Sequence, residues 1–252
     1  MAPSASLLPR ISLLGLASFW LLMLLAMRTY PGGNFAALSH SSHDFFANYW
    51  CDLLRDVALN GQDNERGATL ARAGMAAMAA ALGAFWLRAG RGLARPVAWR
   101  VAAAGSVSSL AMLFVACLPS DRFPQAHAPA VLVAGAPGFA CGVAIAATAL
   151  RRSREAPLFA VLSFALVVLA ALNLALYVDV ACISGGHNAL LPGLQKLASF
   201  VLTGWITVGL RDWERPQRKS PHTVRAAVVS GSSSARSAGP ASASARNACA
   251  SR

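Results

Sequence analysis

The side chains with most chemistry to offer in this chain are a few histidines and carboxylates. His43, His127 and His187 have Asp52 and Asp179 as acidic counterparts, and His40 lies three residues before His43. Imidazoles with a carboxylate form the donor set of a catalytic zinc ion, and a zinc-bound water would make a hydrolase. No His-Glu-x-x-His or Cys-x-x-Cys spacing enforces shared coordination. Asp52, His127, Asp179 and His187 are thus the candidate catalytic residues, and His43, His127 and His187 the candidate metal ligands. Only a fold can bring them together.

The elements that must position these residues are membrane spans. The chain of 252 residues is 56% hydrophobic and only 13% charged, against about 25% charged in soluble domains. Its net charge of +12 comes from arginine clusters between apolar runs. No basic stripe or finger signature accompanies them, so nucleic acid is not an expected partner and membrane lipids are. Spans are expected at about 11–30, 67–87, 101–118, 128–150, 156–178 and 190–210, each long enough for a hydrocarbon core of about 30 Å. The fold class is all-α, a transmembrane bundle of about six helices. The first span reads as an uncleaved helix, because no Ala-x-Ala site precedes Arg28. Arg72 and Lys196 are expected to snorkel to the interface. Gly74, Ala76, Ala77 and Ala80 in the second span, and Gly135, Gly138 and Gly142 in the fourth, suggest closely packed helices inside the bundle.

Charge sets the orientation. Arg88, Arg91, Arg95 and Arg100 crowd one short loop and Arg151, Arg152 and Arg154 the next on the same side. Cytoplasmic loops carry the Lys/Arg excess, which places both termini in the cytoplasm of a multi-pass plasma (inner) membrane protein. Residues 211–252, rich in Ser, Ala and Arg, are expected to be a disordered basic tail. The opposite face then collects His40, His43, His127 and His187 with Asp44, Asp52, Asp56, Asp63, Glu65, Asp121 and Asp179. In its longest loop, residues 43–59 read as an amphipathic helix, with Phe45, Phe46, Tyr49, Trp50, Leu53 and Leu54 on one face and Asp44, Asn48, Asp52 and Asp56 on another. Cys51 and Cys182 fall on this side too. Either a disulfide between them or two small buried thiols fits the sequence.

Several of these positions carry a likeness. Tyr30-Pro31-Gly32, then Asn48, Cys51, Asp52 and Leu53, then Pro119, Asp121 and His127, and Gly193-Leu194-Gln195-Lys196 are ordered as in the six-helix membrane proteins grouped as domain of unknown function 998 (DUF998), which the chain resembles over about residues 11–210. Cys51 and Leu54 stand where that motif has serine and glycine. The layout is similar to Frag1/DRAM/Sfk1-type membrane proteins as a second choice. Neither resemblance implies an activity. Apart from Arg72, the second to fifth spans hold no ionisable residue, which weighs against an ion-coupled transporter. The sequence favours a non-enzymatic, structural or lipid-associated bundle without a cofactor. A zinc-dependent membrane hydrolase and a small transporter are the alternatives.

Overall fold

A computed structural model describes residues 7–91 and 93–214, with Glu214 described in its backbone alone. Among these residues six α-helices run in chain order: α1 (Leu7–Thr29), α2 (Glu65–Gly90), α3 (Arg95–Cys117), α4 (Pro124–Arg151), α5 (Pro157–Val178) and α6 (Leu191–Glu214). Five of them, α1 to α5, are long and apolar enough to cross a membrane. The protein is a multi-pass helical bundle of up-and-down topology. Lower hydropathy in α6 follows from Gln195, Lys196, Arg211, Asp212 and Glu214. The expected tail begins later than 211, since α6 continues to Glu214; residues beyond it lie outside the described ones.

Each helix packs on its neighbour in the chain, and α6 returns beside α1. Proline in the first turn of α3, α4 and α5 marks where these helices start; a missing N–H costs nothing there. Leucine, valine and phenylalanine remain exposed along the outer faces, among them Leu14, Leu110, Phe114, Val161 and Phe164. Lipid tails can cover such a surface.

Helix α2 is the most enclosed, with half of its apolar stretch buried. Its small residues do what the sequence suggests. Gly15 of α1 lies against the Ala77 carbonyl and Ala81, Ser12 Oγ donates to the Ala81 carbonyl at 3.0 Å, and Gly74 meets Met23. Helix α4 departs from that expectation. Gly138 approaches Ser108, but a methyl group at Gly135 or Gly142 would meet nothing within 4 Å. These glycines leave space instead of bringing helices together.

The three connections at one end of the bundle, residues 30–64, 118–123 and 179–190, form a polar cap; the far end has the short links 91–94 and 152–156. At the far end an aromatic cluster joins α2, α5 and α6: Trp205 lies 4.8 Å from Phe85 and 5.9 Å from Phe159 between ring centroids.

Glycine substitutions separate the two kinds of site. Gly105 lies against the Trp86 indole so closely that a methyl group would overlap it. Gly105→Ala is expected to cost about 1–3 kcal/mol through overpacking and to lower the melting temperature in detergent. Gly135→Ala, facing open space, is expected to melt like the wild type.

Candidate functional site

The cap is built by asparagines. The amphipathic helix expected over residues 43–59 does not form: the segment makes a turn and then a single 3-10 helix, η1 (Trp50–Leu54). The reason is competition for backbone groups. Asp44 Oδ1 accepts from the Phe46 and Ala47 amides at 2.9 and 3.1 Å, and Asn48 Oδ1 accepts from the Asp44 amide at 2.9 Å. Short polar side chains thus satisfy the N–H groups that a helix would have used. Elsewhere Asn34 Oδ1 accepts from the Ala36 and Ala37 amides, Asn60 Nδ2 donates to the Pro31 carbonyl at 2.9 Å, and Asn64 Nδ2 to the Arg55 carbonyl at 2.8 Å. Gly32 and Gly33, at φ 128° and 84°, turn the chain where a side chain would strike backbone.

Asn48 and Asp52 lie at the centre, both buried. Asn48 Nδ2 donates to the Gly33 carbonyl at 2.8 Å and to Asp52 Oδ2 at 3.1 Å, and the Tyr49 amide donates to the same carboxylate oxygen at 2.8 Å. Burial pushes the Asp52 carboxyl above the usual carboxylate range, against the pull of those two hydrogen bonds. Below them lies Lys196 of α6, only 1% exposed. Its Nζ donates to the Asn48 carbonyl and sits 5.1 Å from the Trp50 ring centroid and 5.8 Å from that of Phe45. Lys196 does not snorkel as expected. The cap comes down to meet it, with a carbonyl and two ring faces in place of water.

A second tie rests on Asp56. Its carboxylate takes Arg72 at 2.7 Å and Arg122 at 2.5 Å, while Arg72 also donates to the Leu54 carbonyl at 2.9 Å. Arg72 is therefore anchored to the cap and not extended to an interface. Asp121 accepts from the Asp56 and Val57 amides at 2.8 and 3.0 Å, next to the Pro119 turn whose carbonyl receives the Arg122 and Phe123 amides.

The histidines go to separate places. His43 packs edge-on to Tyr30 with its Nε2 buried and unpartnered. His127 Nδ1 lies 2.6 Å from the Leu118 carbonyl, joining α4 to the end of α3. His187 contacts the Tyr49 hydroxyl at 3.1 Å and stacks on Phe35, and His40 Nδ1 lies 2.8 Å from the Ser42 carbonyl in an exposed turn. Asp179 opens a single π-helical turn, Asp179–Ser184. Among the described residues no three histidine, cysteine or acidic side chains gather as metal ligands. The expected ligand set His43, His127 and His187 is not brought together, because each ring is engaged in holding a different pair of segments. Cys51 and Cys182 are free thiols, Cys182 exposed and Cys51 half-buried, with burial raising the Cys51 thiol to about 12.

Under the cap lies a feature the residue types did not announce. A cavity of about 340 Å³ opens between α2, α3, α4, α5 and α6, roofed by Trp50 and Cys51. Its walls are mainly apolar, including Met75, Leu82, Met112, Val131, Phe139 and Leu166. Gln195, Ser199, Asn173 and Tyr177 supply polar groups toward the cap end. Asn173 Nδ2 donates to the Leu194 carbonyl of α6 at 3.3 Å, and its Oδ1 is left buried and unpartnered. No family model matches this chain, nor does any curated protein or solved structure. The site must be read on its own geometry.

The cap's integrity can be followed at Cys51, with Cys117, Cys182 and Cys249 changed to serine. Asn48→Ala removes partners from several buried groups at roughly 1–3 kcal/mol each; maleimide labelling of Cys51 is expected to speed up markedly. Acid should loosen the cap too, through His43, read as Cys51 labelling relative to a free thiol at the same pH because only the thiolate reacts. Burial, aided by Lys196 and opposed by Asp44, lowers this imidazole from 6.5 to about 4. Between those values the folded cap binds fewer protons than the unfolded one, so stability present at pH 7 is lost as the pH falls from 6.5 toward 4. The raised Asp52 acts with opposite sign, favouring the folded cap as the pH drops. His43→Gln is expected to flatten the labelling profile across that window, and an unchanged profile would remove His43 from the account.

Proposed function

We propose that this protein is a non-enzymatic, lipid-associated membrane protein that houses a lipid hydrocarbon chain in its bundle, beneath a cap on the outer face of the membrane. The cavity carries this reading. Its 340 Å³ falls in the range of ligand pockets, about 300–1,000 Å³. Its walls are predominantly those of a hydrocarbon site, and the helices around it are apolar enough to lie in lipid. A lipid chain filling it exchanges contact with other acyl chains for contact with these walls, an exchange between two apolar surroundings.

The cap supports a structural role for its polar residues. Asp52 has both hydrogen bonds on one oxygen turned inward, and Asp56 and Asp121 are engaged with arginines and amides. None is paired with a histidine as a nucleophile–base unit requires. The same residues that the sequence offers for a hydrolase thus support a lid. The arginine-rich links at the far end favour a cytoplasmic location for that end and both termini, with α6 as a sixth crossing.

Native mass spectrometry of protein released gently from detergent tests the proposal. Wild type is expected to carry a bound lipid, and Gly142→Phe, which projects a ring into open space at the cavity wall, is expected to lose it while melting normally. Equal lipid retention by both proteins would defeat the cavity reading. A C-terminal green fluorescent reporter is expected to fluoresce and a C-terminal alkaline phosphatase to stay inactive; the reverse would overturn the orientation.

A further inference from the structure

The ring of helices is not fastened equally all the way round. Helices α3 and α4 are tied by Ser108 Oγ to the Ala134 carbonyl, by Cys141 Sγ to the Val101 carbonyl, and by His127 at the α3 terminus. Helices α5 and α6 are tied by Trp205 Nε1 to Ser163 Oγ at 2.8 Å and by Asn173 to the Leu194 carbonyl. The closing seam between α1 and α6 is filled by aromatics, with Trp20 stacked on Phe200 at 4.3 Å and its Nε1 donating to Thr203 Oγ1 at 3.0 Å. Among the described residues no side-chain hydrogen bond crosses between α4 and α5 or between α2 and α3, but α2 and α3 are closed by packing, with Gly105 against the Trp86 indole and Gly90 against the Ala98 carbonyl.

The α4–α5 seam is also uneven along its length. The buried residues of α5 are Phe159, Ala160, Ser163 and Leu166, all in its far-end half; none occurs from Val167 to Val178. At the far end the 152–156 link joins α4 to α5 directly, with Arg152 and Glu155 paired at 3.3 Å, and Phe159 stacks on Trp205. On the cap side the same two helices border the cavity through Leu132, Gly135 and Phe139 of α4 and Ala170, Asn173 and Leu174 of α5. Gly135 there has nothing within 4 Å of where a Cβ would lie. The two helices are joined where they meet at the far end and unfastened along the cavity.

The cavity's axial reach agrees with a single leaflet. It is bordered on α6 from Gln195 to Trp205, on α5 from Leu166 to Tyr177 and on α4 from Val131 to Gly142. At about 1.5 Å per residue these stretches rise roughly 15–17 Å, about half of a hydrocarbon core of about 30 Å. An extended acyl chain can lie along that length.

We infer that the α4–α5 seam is a lateral portal through which an acyl chain of a phospholipid in the cap-side leaflet enters the cavity, leaving the lipid's polar region beside Asn173 and Gln195 under the cap. The inference rests on the lipid-chain reading of the cavity and adds the leaflet and the route. The unpartnered Asn173 Oδ1 offers an acceptor to a hydrogen-bond donor at that level.

The test uses full-length protein in phosphatidylethanolamine–phosphatidylglycerol vesicles of defined orientation, with a phospholipid carrying a diazirine along one acyl chain. The probe is loaded into one leaflet at a time and photolysed before lipids exchange. From the cap-side leaflet, adducts are expected on cavity-facing positions of α4 and α5 such as Leu132, Ala170 and Leu174. Gly135→Leu, which fills the open space at the seam with a side chain, is expected to cut their yield about tenfold through crowding of the site. From the opposite leaflet, adducts are expected on exposed outer faces alone. Cavity adducts arising equally from both leaflets, or unaffected by Gly135→Leu while Gly142→Phe abolishes them, would overturn the portal and keep the lipid-chain cavity. Absence of cavity adducts from either leaflet would overturn both.

Discussion

A lysine in an apolar helix needs partners, because hydrocarbon offers none and a desolvated charge costs several kcal/mol. Lys196 lies five residues into α6 and is almost wholly buried. It is served by the Asn48 carbonyl and the faces of Trp50 and Phe45, all contributed by the loop between α1 and α2. For that carbonyl to point down at Lys196, the chain around Asn48 must leave the helical path. It does so because Asp44 and Asn48 satisfy its amides from their side chains. Asp52, held by Asn48, then fixes the entry to η1, and η1 carries Trp50 and Cys51 to the roof of the cavity. The lid's position follows from one buried amine.

The same constraint explains why the cap is so rich in asparagine. A loop of this length at a membrane surface leaves many backbone groups without helical or sheet partners, and buried ones must be paired. Asn34, Asn48, Asn60 and Asn64 each take up a backbone donor or acceptor, and each keeps its neutrality in a low-dielectric setting. Where charge is used, as at Asp56, it is matched by two arginines from separate elements. The cap is tied to the helix ends by Arg72, Asp121 and Lys196. In this way a polar layer closes one end of a bundle whose interior is left apolar and partly empty.

The emptiness has its own cause. Closely packed membrane helices use glycine and alanine to bring backbones together, and α1 and α2 do so around Gly15 and Ala81. In α4 the same residue type has the opposite effect. With Phe159 of α5 stacked on Trp205 of α6, nothing lies within 4 Å of where a side chain would begin at Gly135 or Gly142, and these glycines simply remove volume from the wall.

The fold was largely legible from the residues. Apolar runs of span length fix the helices α1 to α5, since nothing else satisfies a backbone in lipid, and prolines at 96, 124 and 157 mark starts. The topology read from charge likewise gathered Asn48, Asp52, Asp121 and His127 on one face, where the structure has the first three in the cap and His127 on α4 against the Leu118 carbonyl. Their roles were not legible. The helical spacing of Asp44, Asn48, Asp52 and Asp56 suggested a helix, but those same side chains capture the backbone and prevent one. Lys196 and Arg72 looked like snorkelling residues because sequence shows a charge's distance from a helix end and not what lies above it. The cavity was invisible, for a glycine reads the same whether a neighbour fills the space beside it or leaves it open. Sequence by itself determined the spans, which depend on each segment's own exchange of water for lipid. Only the tertiary structure decided the partners of Lys196, the scattering of the histidines and the hollow between α4 and α5, because each depends on which distant segment arrives alongside.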